Sequence, residues 1–274
     1  MQNDPLHSFH RDNQLRVAQP NSIEPIVYQS NQSIVSNFTA SQSISTVDQL
    51  SSSQSTLSSY LPRSGLNSLN DVPSCHIHQI YELNESLSIA SENRFTVKTY
   101  DNHSIFLASE GSTQRDRMLW GSSRPFMLHL TDQRHQQAIT LRRIFGCHCF
   151  CFPLKMQCME VWLHSGVLLG VVQEKFSITS REFVIENERG EALYVVNVSL
   201  GSSLCMDKEF HFPILTADKA HQGGTIVRQW NSDINTFTMN IYFADPTMDS
   251  KIKSLFLGLG FLLDYLFFQS RSCC

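Results

Sequence analysis

The sequence predicts a mainly β protein, an antiparallel barrel or sandwich, that ends in one apolar helix. From about residue 76, short segments rich in β-branched and aromatic residues follow one another, each bounded by turn residues. No segment with helical periodicity separates them. The block Leu255–Phe268 is apolar around almost its whole circumference, so protein or lipid must surround it. Short strands with short connections are typical of antiparallel barrels and sandwiches.

About thirteen strands are predicted, with connections of hairpin length. The candidates are Ile77–Leu83, Arg94–Tyr100, Ser104–Ala108, Pro125–Thr131, Gln137–Ile144, Gln157–Leu163, Gly166–Val172, Lys175–Thr179, Glu182–Glu186, Ala192–Val198, Glu209–Leu215, Thr225–Trp230 and Thr236–Phe243. Between two of them, Asn187–Gly190 is a clear turn in which Gly190 is able to adopt a positive φ.

The first part of the chain has a different composition from the rest. Nine of the twenty residues in Ser41–Tyr60 are serine, and few residues in this part are apolar. Such a segment cannot bury enough apolar surface to offset the entropy of ordering it. We therefore expect a disordered tail at 1–71, a folded domain at 72–270 and a short cysteine-ending tail at 271–274. The first tail is either a plain solvated extension or a phosphorylatable or partner-binding arm.

The overall charge excludes several classes of protein. The chain has 21 Lys and Arg against 25 Asp and Glu, a net charge of −4, whereas nucleic-acid binding needs a concentrated basic excess. No nucleic-acid partner is therefore expected. No uncharged apolar run is long enough for a multi-span transporter. The first thirty residues lack the long apolar run of a secretory signal, so we expect a reducing compartment, with thiols that are free, metal-bound or acylated.

The C-terminal helix is predicted to lie inside the β-structure. Thr247 or Asp249 is placed to cap it. The fourteen residues of Leu255–Phe268 rise only about 21 Å, which is short of a hydrocarbon core of about 30 Å. Asp264 would add about 2.5–3.5 kcal/mol to the cost of membrane insertion. A membrane span is the alternative. The residues expected to be buried, in protein or in lipid, are Leu255, Phe256, Leu259, Leu262, Leu263 and Leu266.

Several strings of residues resemble the phospholipid scramblase family over about residues 72–270. They are Ile105–Glu110, Ser123–Phe126, Arg142–Pro153, Gly170–Gln173 with Lys175–Ile178, Gly224–Ile226 leading to Trp230, and Lys251–Lys253 continuing through Leu262–Phe268. The resemblance implies a tubby-like closed barrel of about twelve strands around the buried C-terminal helix. It also implies Ca²⁺-stimulated, ATP-independent movement of membrane phospholipids between leaflets, by a protein attached through acylated cysteines at the cytoplasmic face of the plasma membrane.

The cysteine-rich segment matches the acylated cluster of that family, with fewer cysteines. The resemblance implies covalent palmitate on Cys147, Cys149, Cys151 and Cys158. Several acyl chains, or one chain with basic residues, hold a protein firmly to a membrane. A zinc site and cysteines without a function are the alternatives, although the spacing departs from that of usual zinc sites. The terminal pair Cys273–Cys274 is a second candidate for lipidation.

The acidic loop that binds Ca²⁺ in scramblases is degraded here. An EF-hand counted from Asp233 places Thr238 where glycine is needed and Ala244 where a bidentate glutamate belongs. Asp233, Asp245 and Asp249 together would form a weak, irregular site, or else serve as turn and helix-cap carboxylates. We therefore predict that Ca²⁺ affinity is poor or lost.

No constellation typical of an enzyme is present, so a bond-making activity is not expected. The chain has no nucleophile elbow, phosphate loop or zinc-protease motif. Three functions compete: phospholipid scrambling, a lipid-anchored binding or adaptor module without direct scrambling, and a soluble interaction protein. Scrambling by one short enclosed helix lacks a polar path for headgroups, so assembly of several copies or local membrane thinning would be needed.

Overall fold

Twelve antiparallel strands form one closed barrel. The computed structural model describes residues 65–80, 92–145, 156–176, 180–199 and 209–269. The strands are β1 (Ser74–Ile80), β2 (Arg94–Thr99), β3 (Ser104–Gly111), β4 (Phe126–Thr131), β5 (Gln137–Ile144), β6 (Cys158–Leu163), β7 (Leu168–Lys175), β8 (Ser180–Asn187), β9 (Ala192–Ser199), β10 (Glu209–Thr216), β11 (Gln222–Asn231) and β12 (Thr236–Phe243). Each strand pairs with its neighbours in sequence, and β1 closes the barrel against β12.

Alternation of apolar and polar residues places one face of each strand inside the barrel. In β4, Phe126, Leu128 and Leu130 are buried while Met127 between them is exposed. This is the period of two that an extended chain imposes on its side chains. The inward side chains of the barrel and the apolar side chains of the C-terminal helix form one continuous core.

Helix α2 (Ser250–Phe267) runs through the interior of the barrel. Asp249 is its N-cap, with a side-chain oxygen that accepts a hydrogen bond from the backbone N–H of Lys251 at 2.9 Å. The prediction that the apolar block lies inside the barrel is confirmed. Leu255, Phe256, Leu259, Leu262 and Leu263 are at most 1% exposed, and Leu266 is partly buried. In the described part of the chain, no helix is both long enough and apolar enough to cross a membrane.

The two ends of the barrel differ in their connections. We call the end where α2 begins the entry end; the connections after β2, β4, β6, β8, β10 and β12 lie there. The end where α2 finishes is the exit end, with the connections after β1, β3, β5, β7, β9 and β11. Because all strands are antiparallel and consecutive, this assignment follows from the topology alone.

Three details differ from the sequence-based expectations. Lys175 is the last residue of β7 rather than the start of a separate strand, and 177–179 lie outside the described residues. A short helix, α1 (Gln114–Trp120), and a 3-10 turn (Gly121–Ser123) occupy the connection between β3 and β4, where no helix was predicted. Finally, a 3-10 helix at Gly65–Leu69, which falls within the expected tail, packs on the barrel with Leu69 fully buried.

Candidate functional site

The contact between α2 and the barrel wall is close because glycines line it on both sides. A β-carbon at Gly258 would lie 2.8 Å from a methyl group of Val161, and one at Gly170 would lie 2.9 Å from a methyl group of Leu255. Any larger residue would push the helix away from the wall. Aromatic contacts complete the packing, with Phe95 edge-on to Phe261 at 5.3 Å between ring centroids. The helix therefore fills the barrel as a close-packed core element.

A buried lysine fixes α2 at the entry end. Lys253 is 0% exposed. Its ammonium group donates hydrogen bonds to the carbonyl oxygens of Leu69 and Val72, both at 2.9 Å, and of Pro246 at 2.6 Å. It also lies 5.1 Å from the ring centroid of Phe243. The three acceptors use all the donors of the ammonium group, so the charge is buried with its hydrogen bonds satisfied.

A buried ion pair fixes α2 near the exit end. Arg124 donates two hydrogen bonds of 2.7 Å to the two carboxylate oxygens of Glu110. The hydroxyl of Tyr265 on α2 donates to the same carboxylate at 2.8 Å. Burial raises the pKa of Glu110, but the hydrogen bonds and charge of Arg124, with the hydroxyls of Ser112 and Tyr265, outweigh it and hold that pKa below its usual value. Glu110 is therefore ionised and joins three elements of the fold.

Further arginines surround the last turn of α2. The Arg228 guanidinium lies between the rings of Phe237 and Phe268, 3.8 and 4.0 Å from their centroids. Arg181 lies 4.8 Å from the ring centroid of Phe267 and pairs with Glu174 at 2.6 Å. Cations at this position stabilise the negative end of the helix dipole.

Arg143 is the most enclosed of these arginines, at 1% exposure. Its hydrogen bonds go to neutral acceptors, the side chain of Gln157 at 2.7 Å and the backbone carbonyl of Ser122. Burial lowers the pKa of Arg143 to about 10, and the like charges of Arg124 and Arg181 act in the same direction. The exit end thus contains a layer of enclosed arginines beneath its connections, of which Arg124 and Arg181 are paired with glutamates.

Asp264 faces a small polar cavity at the exit end. The cavity has a volume of about 70 Å³, and its lining includes Arg228, Thr236 and Gln269. Gln269 donates a hydrogen bond to the Asp264 carboxylate at 2.9 Å. Burial raises the pKa of Asp264 to about 6, although Gln269 and the charge of Arg228 oppose this shift. The space suits a water molecule or a small ion and is too small for a lipid headgroup.

Replacing Asp264 by asparagine should stabilise the barrel at neutral pH by about 1–3 kcal/mol, because folding then no longer buries a carboxylate that is ionised at this pH in both the folded and the unfolded state. With a folded pKa of about 6 and an ordinary value of 3.8, the stability of the wild type falls as pH rises between these values and then levels off. Urea unfolding at pH 4, 5, 6 and 7 measures this. Asp264→Asn should lack this decline in stability with rising pH. The control variant Asp233→Asn, which replaces an exposed residue, should retain it. A decline of equal size in Asp264→Asn would contradict the assignment.

The structure describes one of the four cysteines predicted to carry palmitate. Cys158 is the first residue of β6, at the exit end, and is partly exposed. Burial, with the nearby Glu160 and Glu186, raises the pKa of Cys158 to about 11, so its nucleophilic thiolate is scarce at neutral pH. Cys147, Cys149 and Cys151 lie outside the described residues, as does the Cys273–Cys274 pair. Acylation of the cluster stays a prediction.

The structure does not bring the three calcium candidates together. Asp233 lies in the turn between β11 and β12, at the exit end, whereas Asp245 and Asp249 follow β12 at the entry end. The eight residues of β12 span about 26 Å. Asp245 accepts hydrogen bonds from the N–H and hydroxyl of Thr247, and Asp249 caps α2. Among the described residues, no three His, Cys, Asp or Glu side chains are grouped to hold a metal ion.

Sequence reasoning missed helix α1 and the buried ion pairs. A local signal for α1 was present, because Thr113 and Asp116 have the spacing of a capping box. The Thr113 hydroxyl accepts a hydrogen bond from the N–H of Asp116 at 3.1 Å. The partners Glu110 and Arg124 both fall within strings that carry the family resemblance. Their pairing with a tyrosine far along the chain has no local signal, since it depends on how α2 passes through the barrel.

The geometry defines a class of protein: a closed twelve-stranded antiparallel barrel around an enclosed apolar C-terminal helix, as in tubby-like barrels. The scramblase family model matches residues 53–270. The chain belongs to the scramblase family.

Individual relatives agree with this assignment. The chain is 28% identical to mouse (Mus musculus) phospholipid scramblase 4 over 75% of its own length and 64% of the relative. It is 30% identical to rat (Rattus norvegicus) phospholipid scramblase 1 over 75% and 62% of the two chains. It is 30% identical to human (Homo sapiens) phospholipid scramblase 2 over 75% and 70%. The chain thus matches less than two thirds of the length of the first two relatives. No solved structure matches it.

Proposed function

We propose that this chain is a phospholipid scramblase, which promotes ATP-independent movement of phospholipids in both directions between the leaflets of a membrane. The observation that carries the proposal is the family match, which includes every strand of the barrel and α2. The relatives it resembles are named phospholipid scramblases. Their names supply the substrate class, and the barrel is the part that this chain shares with them.

The proposed location is the cytoplasmic face of the plasma membrane, with palmitate on the cysteine cluster as the anchor. Cys147, Cys149 and Cys151 lie in the sequence between Phe145 and Met156, and the described chain stops and resumes at the exit end of the barrel. Two or more acyl chains hold a protein to a bilayer far more firmly than one. This proposal makes the protein peripheral, and its barrel lies outside the hydrocarbon core.

A second candidate, a lipid-anchored binding module without direct scrambling, is favoured by the enclosure of α2. Its side chains fill the barrel, and residues such as Phe256 and Leu259 are fully buried. Moving them into lipid would empty the core, and an emptied core loses both packing and hydrophobic free energy. Scrambling by an intact barrel therefore requires lipids to pass outside it, where several assembled copies or a thinned bilayer lower the barrier.

Reconstitution separates the two candidates. Purified full-length protein is inserted into vesicles that carry a fluorescent phospholipid in both leaflets, and a membrane-impermeant quencher is added. A scramblase exposes the inner-leaflet probe, so the fluorescence falls well below the half that remains in protein-free vesicles. Fluorescence that stays at half, although the protein is vesicle-bound, contradicts scrambling and supports the binding module.

Locking α2 to the wall should leave scrambling unchanged. A disulfide in Val161→Cys/Gly258→Cys is geometrically reasonable, because a β-carbon at Gly258 lies 2.8 Å from a Val161 methyl position that a sulfur would replace. We expect equal transbilayer rates for the oxidised and reduced double variant, with Val161→Cys alone, under the same redox conditions, as the control. A rate that appears only after reduction would mean that the helix leaves the barrel during activity.

Calcium should bind weakly, because the candidate carboxylates are divided between the two ends of the barrel. Isothermal titration of the full chain with CaCl₂ is expected to show no site tighter than about 100 μM, a value in the range of weak extracellular modules rather than of sensors. If a tighter site appears, Asp233→Asn and Asp245→Asn tested separately will show which end of the barrel holds it.

A further inference from the structure

We propose that the exit end of the barrel is a lipid-contacting surface that inserts apolar side chains into the interfacial region of a phospholipid bilayer. The inference deepens the proposed function, on which it rests for the choice of a phospholipid membrane as the partner. The surface consists of six large hydrophobic residues, five on three connections and Trp230 at the end of β11: Met118, Leu119, Trp120, Phe176, Trp230 and Ile234.

These large apolar side chains are exposed to solvent and are not part of the buried core of the barrel. Met118 is 66% exposed, Leu119 62% and Phe176 64%. Helix α1, which carries the first two, has no buried residue at all. Met118, Leu119 and Trp120 are consecutive, and such a cluster of exposed large apolar side chains indicates a surface with a partner. Leu and Trp on the exposed apolar face of a helix are typical of segments that lie in a membrane interface.

The three connections are evenly distributed around the barrel. They follow β3, β7 and β11, so four strands separate each from the next in the twelve-stranded order. Each therefore lies about a third of the circumference from the other two. Three separated points of contact define a plane, and all three face the same way because the strands before them run in the same direction. A flat, extended partner fits this arrangement better than a peptide or a single protruding segment.

The polar surroundings favour a membrane at this end and oppose one at the other. Near the exit end the exposed charges of the described residues balance: Arg94, Arg115 and Arg142 stand against Glu92, Glu209 and Asp233. Apolar contact therefore supplies most of the affinity there. Among the described residues, the entry end carries seven exposed carboxylates and four exposed cations, a net charge of −3: Asp71, Asp101, Glu188, Glu191, Asp218, Asp245 and Asp249 against Arg134, Arg189, Lys219 and Lys251. An anionic leaflet repels this net negative charge of the entry end, which favours the orientation with the exit end toward the lipid.

Chain connectivity supports the same orientation. The segment with Cys147, Cys149 and Cys151 leaves the described barrel after Phe145 and returns at Met156, both at the exit end. Trp120 packs on Phe145 with 4.6 Å between ring centroids, so α1 lies at the start of that segment. The proposed acyl anchors and the apolar surface would thus attach the same end of the barrel, the exit end, to the membrane.

The three tryptophans provide a direct test, since Trp120 and Trp230 are at the exit end and Trp162, in β6, is near the entry end. Full-length protein from bacteria, which lacks acyl chains, is mixed with phosphatidylcholine–phosphatidylserine vesicles containing brominated acyl chains. Trp162→Phe/Trp230→Phe leaves Trp120 alone, and Trp120→Phe/Trp230→Phe leaves Trp162 alone. We expect a blue shift and several-fold stronger bromine quenching of Trp120 than of Trp162. Equal quenching, or none in vesicle-bound protein, would overturn the proposal.

A pair of matched double variants measures the contribution of the surface. Met118→Ser/Leu119→Ser should weaken vesicle partitioning about tenfold. The control is Tyr100→Ser/Val167→Ser at the entry end, where the two residues are 78% and 54% exposed; its partitioning should match the wild type. Melting temperatures verify that both variants are folded, which is expected because the replaced side chains are exposed.

Two other outcomes count against the proposal. One is equal loss of partitioning in both variants. The other is unchanged partitioning in Met118→Ser/Leu119→Ser with loss of a dimer in size-exclusion chromatography, which would assign the surface to a second copy of the chain. Failure of the proposed function looks different: the wild type would bind vesicles through its exit end without moving lipid between leaflets.

Discussion

Glu110→Ala should lower the free energy of unfolding by about 3–5 kcal/mol, because it leaves the Arg124 guanidinium buried without its partner. Both side chains are almost fully enclosed, at 0% and 8% exposure. The hydroxyl of Tyr265 loses its acceptor as well. Urea unfolding followed by tryptophan fluorescence measures the change at pH 7.

A control and the pH dependence make this prediction specific. Glu92→Ala removes the exposed partner of Arg117 and should cost less than about 1 kcal/mol. Since the pKa of Glu110 lies below its ordinary value of 4.5, the stability from its charge is present above that pH and is lost as pH falls through the lower, folded value. The wild-type advantage over Glu110→Ala should therefore shrink in acid. A constant difference down to pH 2 would contradict the charged pair.

Lys253→Met should be about as destabilising, by about 3–5 kcal/mol, because it removes the ammonium donor from three enclosed carbonyl groups, of which that of Leu69 keeps only a 3.4 Å hydrogen bond from the N–H of Val72. Methionine keeps most of the volume, so the loss reports the hydrogen bonds to Leu69, Val72 and Pro246 rather than a cavity. Hydrogen exchange should show the largest loss of protection at 65–72. The neighbouring Lys251 is exposed, and Lys251→Met is expected to change stability by less than about 0.5 kcal/mol. Similar effects of the two substitutions would refute the role given to Lys253.

Most of the fold follows from local patterns in the sequence. The alternation in segments such as Phe126–Thr131 predicts strands because an extended chain turns successive side chains to opposite faces. The missing polar face of α2, its short apolar length and Asp264 together predict burial in protein. Helix α1 was not predicted from the sequence, because its seven residues are too few for a helical periodicity to be recognised.

The site depends on contacts that no short stretch of sequence encodes. The pairing of Glu110 with Tyr265 joins residues 155 positions apart, and Lys253 reaches carbonyls more than 180 positions away. The barrel's strand order decides which connections share an end. Knowing that order beforehand would have separated Asp233 from Asp245, and would have grouped Trp120, Phe176 and Ile234.

Closure of β1 against β12, with α2 following, has a consequence for biosynthesis. Strand β1 cannot pair with β12 until β12 has been translated. Helix α2, which fills the interior of the barrel, is translated after both strands. Contacts of such long range form slowly. A nascent chain that has emerged only as far as β11 would have an unclosed sheet. The apolar side chains that line the barrel would then be exposed to water, a state prone to aggregation. The nascent chain should therefore engage holding chaperones until α2 has emerged.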